Sequence, residues 1–257
     1  MRLILFALLA ATIAGGAFAY KHERDNRRED VARLEKQLSS VETQLRGARR
    51  QNTVLEGQIR GVKRRARTAR FARTTLAARV RRSVFTLTVS LDEGTAFVAW
   101  VKGRNSYLLT AEHAVYRTVA RGDRKARLHQ GRKVWEGRVV RTDPPHDLAL
   151  IRVPHRIAPP LWQSGAYTPP LVGDELLLVG SPLGYEGSVT SGVVSRVAFT
   201  EIQTDIAAYP GVSGGPAVDA EGHVVGVLSS GEAENLNFAV PINLACSTLR
   251  VCKRPGR

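Results

Sequence analysis

Pro210-Gly211-Val212-Ser213-Gly214-Gly215-Pro216 is the stretch on which the reading of this chain turns. One serine stands among three glycines and two prolines. Glycine reaches backbone angles with φ > 0 and lets other groups approach closely. Proline fixes its own φ and removes a hydrogen-bond donor. A small hydroxyl held on such a turn is exposed beside free backbone N–H groups. An attacking serine needs that combination, because donors must meet the oxyanion that develops. An ordinary glycine-rich turn has the same composition, so the heptapeptide alone leaves both readings open.

Working outward, a nucleophilic serine requires a base, and the base an orienting acid. The chain has six histidines. His113 lies in Tyr107-Leu108-Leu109-Thr110-Ala111-Glu112-His113-Ala114-Val115, where an apolar strand gives way to a helical turn. His146 is followed by Asp147 in Pro144-Pro145-His146-Asp147-Leu148-Ala149-Leu150-Ile151, which puts a carboxylate at the mouth of a buried strand. Such an acid can hold a histidine Nδ1–H and stabilise the imidazolium. His22, His129, His155 and His223 lack comparable surroundings and read as surface residues.

From Val84 onward, short apolar runs alternate with turn residues. The runs are Val84–Val89, Thr95–Val101, Ser106–Leu109, Val134–Val140, Leu148–Val153, Glu175–Val179, Val189–Val197, His223–Leu228 and Asn237–Val240. Their regular spacing predicts an all-β sandwich or pair of barrels. A proline-rich break at Pro154–Pro170 separates the halves. Helical signal is confined to Ala111–Val119 and to a C-terminal piece from Ile242 to about Val251.

The N-terminal third differs in kind. Residues 1–83 hold 20 Lys and Arg against 7 Asp and Glu, whereas residues 84–257 hold 18 against 16. The net charge of +15 therefore belongs to the leader region and not to the body carrying Ser213. Leu3–Tyr20 is free of charge and reads either as a signal peptide cleaved after Ala17-Phe18-Ala19 or as a short membrane anchor. Both readings export the chain. Residues 31–80 follow a heptad with Val31, Leu38, Leu45, Asn52, Ile59, Ala66, Arg73 and Val80 at a, and Leu34, Val41, Ala48, Leu55, Val62, Ala69 and Leu76 at d. That pattern predicts a coiled-coil stem forming a homo-oligomer, with Asn52 favouring two strands; a single long helix along the body is the plainer alternative. No acidic residue falls between Glu56 and Asp92, and the basic run Arg60–Arg82 suits either an anionic membrane surface or simple solvation. With Phe71 the only aromatic there and no recognition motif, no specific nucleic-acid binding is expected. Cys246 and Cys252 have no zinc-ligand spacing, and whether they pair is left open. Neither metal nor cofactor is expected.

The motifs together resemble the chymotrypsin-fold serine proteases, and within them the HtrA (DegP/DegS-like) family. Thr110-Ala111-Glu112-His113 resembles the histidine motif, Asp147-Leu148-Ala149-Leu150 the aspartate motif, and Thr204 through Pro216 the serine motif. Val172-Gly173-Asp174, Val179-Gly180-Ser181-Pro182-Leu183-Gly184, Val189 through Ser195 and Phe238-Ala239-Val240-Pro241 are similar to intervening family segments. The resemblance covers about residues 84–246 and implies two six-stranded β-barrels, about 84–155 and 165–245, within a domain 83–257 that follows a leader (1–20) and a stem (21–82) and ends in a helix about 242–252. It implies catalysis by His113, Asp147 and Ser213, an oxyanion hole from the N–H groups of Gly211 and Ser213, and a substrate pocket of Ala207, Ala208, Ser229, Ser230, Gly231 and Phe238. Ala207 at the pocket base disfavours Lys or Arg substrates. The implied activity is endopeptidase action on exported or envelope proteins in the periplasm; the alternatives are a silent protease-like binding or chaperone module, or an envelope scaffold. Three features depart from the family pattern: Gly94-Thr95-Ala96-Phe97 in the entry strand, Val212 before the serine, and Ala111-Glu112 before the histidine. No PDZ segment follows the protease-like region, so assembly is expected through the stem.

Overall fold

The computed structural model describes residues 2–90, 92–162, 167–233 and 235–249, and the side chains of all of these except 2–20, 25–26, 30–32, 60, 64–71 and 232–233. The chain divides into two units, Met1–Thr68 and Ala69–Arg257.

Helix α1 spans Arg2–Arg81. Nothing interrupts it: the chain's first proline is Pro144. Within the first unit the seam residues Leu34, Leu38, Val41, Leu45, Leu55, Ile59 and Val62 are 49–67% exposed. Among the described residues no helix is long and apolar enough to cross a membrane. The side chains of the leader, on which its reading as signal or anchor depends, lie outside the described ones.

In the second unit the end of α1 changes partner. Val80 is fully buried in a cluster with Val224, Leu244, Ala245 and Leu249, and Leu76 packs against it. The last two positions of the heptad seam are thus covered by the chain's own body. A partner helix can therefore use only the seam preceding Leu76, which shortens the expected 31–80 interface. Arg73 pairs with Glu175, and an Arg79 N–H donates to the Glu221 carbonyl. These two arginines of the basic run are accordingly engaged within the body.

Twelve strands form two closed barrels. The first contains β1 Val84–Thr88, β2 Glu93–Lys102, β3 Asn105–Thr110, β4 Lys125–Gln130, β5 Lys133–Asp143 and β6 Leu148–Val153, in the order β1-β2-β3-β6-β5-β4. It closes where β1 meets β4, with Leu87 opposite Leu128. The second contains β7 Glu175–Gly180, β8 Ser188–Val197, β9 Ile202–Thr204, β10 Pro216–Val218, β11 Val224–Ala233 and β12 Leu236–Pro241, in the order β10-β11-β12-β9-β8-β7. Each barrel has its own core, built on Phe85, Leu87, Leu108, Leu128 and Ile151 in the first and Leu176, Leu178, Ile202, Ile206 and Leu228 in the second. A third cluster with Phe97, Leu109, Leu148, Val179 and Val227 joins barrel to barrel.

Three strands exceed the nine apolar runs. β4 reads Lys-Ala-Arg-Leu-His-Gln and buries only Ala126 and Leu128 fully, so its polar outward face hides the alternation. β9 and β10 are three residues each, too short for a periodic signal. The helical segment expected at Ala111–Val119 is realised later, as α2 Tyr116–Ala120. At the C-terminus α3 covers Asn243–Thr248. Ile242 and Leu249 flank it as caps, the end of the expected helix past 249 lies outside the described residues, and so does Cys252, the candidate partner of Cys246.

Candidate active site

The ends of β3 and β6, paired with Thr110 opposite Ala149, bring His113 and Asp147 together. Asp147 closes a short 3₁₀ turn, Pro144–His146, in the left-handed conformation at φ 50° and ψ 46°. Aspartate tolerates that region better than most residues. The turn points the Asp147 carboxylate at the His113 loop, where it is bound from several sides. The His113 N–H donates to Oδ1 at 2.8 Å, and His113 Nδ1 lies 2.9 Å from Oδ2. The Asp147 carbonyl accepts the Glu112 N–H at 3.1 Å. Ser229 on β11 donates its hydroxyl to Oδ2.

Burial alone would raise the Asp147 carboxyl, but hydrogen bonds from His113 and Ser229 outweigh it and hold the group below the usual carboxylate range. The ionised carboxylate can only accept, so Nδ1 of His113 carries the proton and Nε2 is left as the acceptor. The hydrogen bond to Asp147 raises the His113 imidazole above its ordinary value, against the opposing effect of burial. Glu112, only 7% exposed, is also raised, first by burial and then by the Asp147 charge.

Ser213 sits on the turn before β10. Its hydroxyl donates to the Ser229 carbonyl at 3.2 Å and not to His113. Its own carbonyl accepts the Thr95 N–H at 2.8 Å. Gly211 has φ 95°, and a Cβ there would lie 2.5 Å from the Ser181 carbonyl oxygen, so only glycine fits this approach. The turn's own bonds run from Val212 N–H to Tyr209 O at 3.2 Å and from Gly215 N–H to Val212 O at 2.9 Å. Among the described residues, the N–H groups of Gly211 and Ser213 have no protein acceptor.

The remaining sequence-derived residues fall around this turn. Ser230 pairs with Phe238 and Gly231 with Asn237 across β11 and β12, so Ser230, Gly231 and Phe238 share one edge of the second barrel. Ala207 and Ala208 are half-buried just past β9, with Ala208 packed on the second core. The Ser229 hydroxyl donates to Asp147, and its carbonyl accepts from Ser213. The site also contains Asn237, from the strand expected beside the pocket, which is 1% exposed and whose Oδ1 occupies the space a Cβ on Gly231 would need.

Residues 94–227, more than half of the chain, match the family model of the trypsin-like peptidase domain. A Pseudomonas putida (strain GB-1) protein named "Probable periplasmic serine endoprotease DegP-like" is 34% identical over 177 residues. That match takes in 64% of this chain and 35% of the relative, so this chain spans about a third of that protein's length. The crystal structure of Deg5 superposes with a TM-score of 0.59 at 27% identity, over 70% of this chain and 93% of that one. Rv3671c from M. tuberculosis H37Rv has the same fold, with a TM-score of 0.60 at 22% identity over 71% and 93% of the two chains.

Proposed function

Because this chain belongs to the trypsin-like peptidase family, we propose that it is a serine endopeptidase of the DegP/HtrA type in which Ser213 is the nucleophile, His113 the general base and Asp147 the orienting acid. The observation that carries the reading is the juxtaposition of an Asp147-bound imidazole, Nε2 as acceptor, with a serine turn whose Gly211 and Ser213 N–H groups are unspent. Ser213 Oγ attacks the scissile carbonyl carbon as its proton passes to His113 Nε2. The carbonyl oxygen becomes an oxyanion received by the N–H groups of Gly211 and Ser213. Collapse breaks the C–N bond, and the leaving amine takes the proton from His113. Water, deprotonated by the same imidazole, then hydrolyses the acyl-enzyme and returns Ser213 to its alcohol. Casein hydrolysis by the full chain tests this: Ser213→Ala and His113→Ala should each lower turnover by roughly 10⁴-fold or more, and undiminished turnover in either would overturn the assignment.

The pocket of Ala207, Ala208, Ser229, Ser230, Gly231 and Phe238 offers no acidic partner for Lys or Arg, so small or medium apolar residues before the scissile bond fit it. A peptide library in which Arg is strongly preferred would contradict this. The relative's name supports a periplasmic setting, in line with the charge-free leader.

The exposed seam Leu34–Val62 is the stem's surface for a second copy, as a two-stranded coiled coil with Asn52 at an a position. Leu38→Glu with Leu45→Glu should convert the oligomer to monomer in sedimentation, and an unchanged mass would contradict it. An anionic membrane contact would rest on the part of Arg60–Arg82 other than Arg73 and Arg79, and vesicle binding that Lys63→Glu leaves unchanged would argue against it.

A further inference from the structure

Thr95 is the first departure from the family's entry strand, and every polar group it has is used at the seam between the barrels. It lies on β2, fully buried. Its N–H donates to the Ser213 carbonyl at 2.8 Å. Its carbonyl accepts the hydroxyl of Thr110, 2.7 Å away at the end of the strand that leads into the His113 loop. Its hydroxyl touches two groups of the second barrel, the Ser181 N–H at 3.0 Å and the Gly211 carbonyl at 2.7 Å. An N–H can only donate, so Ser181 uses a lone pair of the Thr95 oxygen, and the single hydroxyl proton goes to Gly211.

That proton has a mechanical consequence. Gly211 stands between two peptide planes. The plane before it is held by the Leu183 N–H, which donates to the Pro210 carbonyl at 2.8 Å. The plane after it is held by the Thr95 hydroxyl on the Gly211 carbonyl. The first bond turns the Gly211 N–H, on the same peptide as the Pro210 carbonyl, away from Leu183. The second fixes the Gly211–Val212 peptide, which joins the two peptides that carry the Gly211 and Ser213 N–H groups, and those two N–H groups are left unbonded among the described residues. Glycine has a broad choice of backbone angles, so φ 95° at Gly211 must be imposed by neighbours. The approach is close on all sides: a Cβ on Gly180 would lie 3.1 Å from the Thr95 hydroxyl, and one on Gly94 3.2 Å from the Ser213 carbonyl.

We propose that Thr95 is a positioning residue for the oxyanion hole, its hydroxyl fixing, across the barrel interface, the Gly211–Val212 peptide that links the two donor-bearing peptides. The proposal rests on the reading of Ser213 as nucleophile. It also places the hydroxyl outside the reacting atoms, so its loss should act on turnover and leave substrate binding nearly unchanged.

The test uses the full chain with Thr95→Val, which keeps the shape and removes the oxygen, and Thr95→Ser, which keeps the oxygen. With labelled casein, Thr95→Val should lose about a hundredfold in kcat, the scale of one misplaced oxyanion donor, while KM changes less than about threefold. Thr95→Ser should stay within about threefold of the parent in both. Should Thr95→Val not fold, Thr95→Ala against Thr95→Ser at 10 °C makes the same comparison, since these two also differ only by the oxygen. A kcat retained without the hydroxyl, or Thr95→Ser as impaired as Thr95→Val, overturns the proposal. Labelling of the parent chain by a fluorophosphonate separates the two levels. A parent not labelled at Ser213 overturns the nucleophile reading and this inference with it, whereas a labelled parent with a fully active Thr95→Val overturns this inference alone.

Discussion

The backbone N–H of Leu183 donates to the carbonyl oxygen of Pro210 at 2.8 Å, and this bond decides which way the peptide entering Gly211 faces. Leu183 holds an unusual conformation, φ 50° and ψ 30°, although its side chain is 67% exposed and packs little. A bulky residue at positive φ is strained. The bond it enables turns the Gly211 N–H toward the candidate oxyanion hole.

Leu183→Gly should therefore keep activity within about threefold, because glycine takes positive φ without strain and retains the N–H. Leu183→Pro removes the donor and cannot adopt φ 50°. It should lower kcat by roughly a hundredfold or more with little change in melting temperature, since the loop is exposed. Equal activities for the two variants would show that the amide does not set the turn.

Ser229 carries a second prediction. Its hydroxyl is bound to the Asp147 oxygen that also faces His113 Nδ1. A hydrogen bond to a charged group contributes about 1.5–3 kcal/mol, so Ser229→Ala should lower kcat/KM by roughly ten- to a hundredfold through a less firmly held carboxylate. Ser247→Ala, which removes a hydroxyl bonded to the Leu244 carbonyl on α3, should be close to the parent. Steady-state kinetics on a peptide substrate checks both, and an inert Ser229→Ala would assign the hydroxyl to the pocket instead.

The pH profile follows from His113. The hydrogen bond to Asp147 raises its imidazole above the ordinary 6.5, burial opposing and the charges of Asp147, Glu112 and Asp92 adding to the rise. The base must be neutral to accept the Ser213 proton, so kcat/KM should rise with pH through that elevated pKa. Its acid limb should have a midpoint above 6.5. Glu112→Gln removes one of the raising charges and should move the midpoint to lower pH. A parent midpoint at or below 6.5, or a shift upward in Glu112→Gln, would contradict the electrostatics of the site.

The parts legible in the sequence are those whose signal is local. Strands with several buried residues in a row, such as Leu148–Val153, announce themselves, as do His113, Asp147 and Ser213, each in its own short motif. What could not be read there depends on residues far apart in the chain. Ser229 meets Asp147 across 82 positions and Thr95 meets Gly211 across 116, so one appeared only as a pocket wall and the other only as a departure from a pattern. The stem shows the same limit. The heptad register, with Asn52 and Arg73 as its polar a positions, extends to Val80, yet its last two layers serve the chain's own body, because an apolar stripe does not declare which surface will cover it.

The central claim is that Ser213 is an activated nucleophile, and intact-mass analysis after incubation with a fluorophosphonate tests it most directly. One adduct per chain, mapped by peptide sequencing to Ser213 and absent from both Ser213→Ala and His113→Ala, is the result expected. A chain that remains unmodified, or an adduct that persists in Ser213→Ala, would contradict the claim.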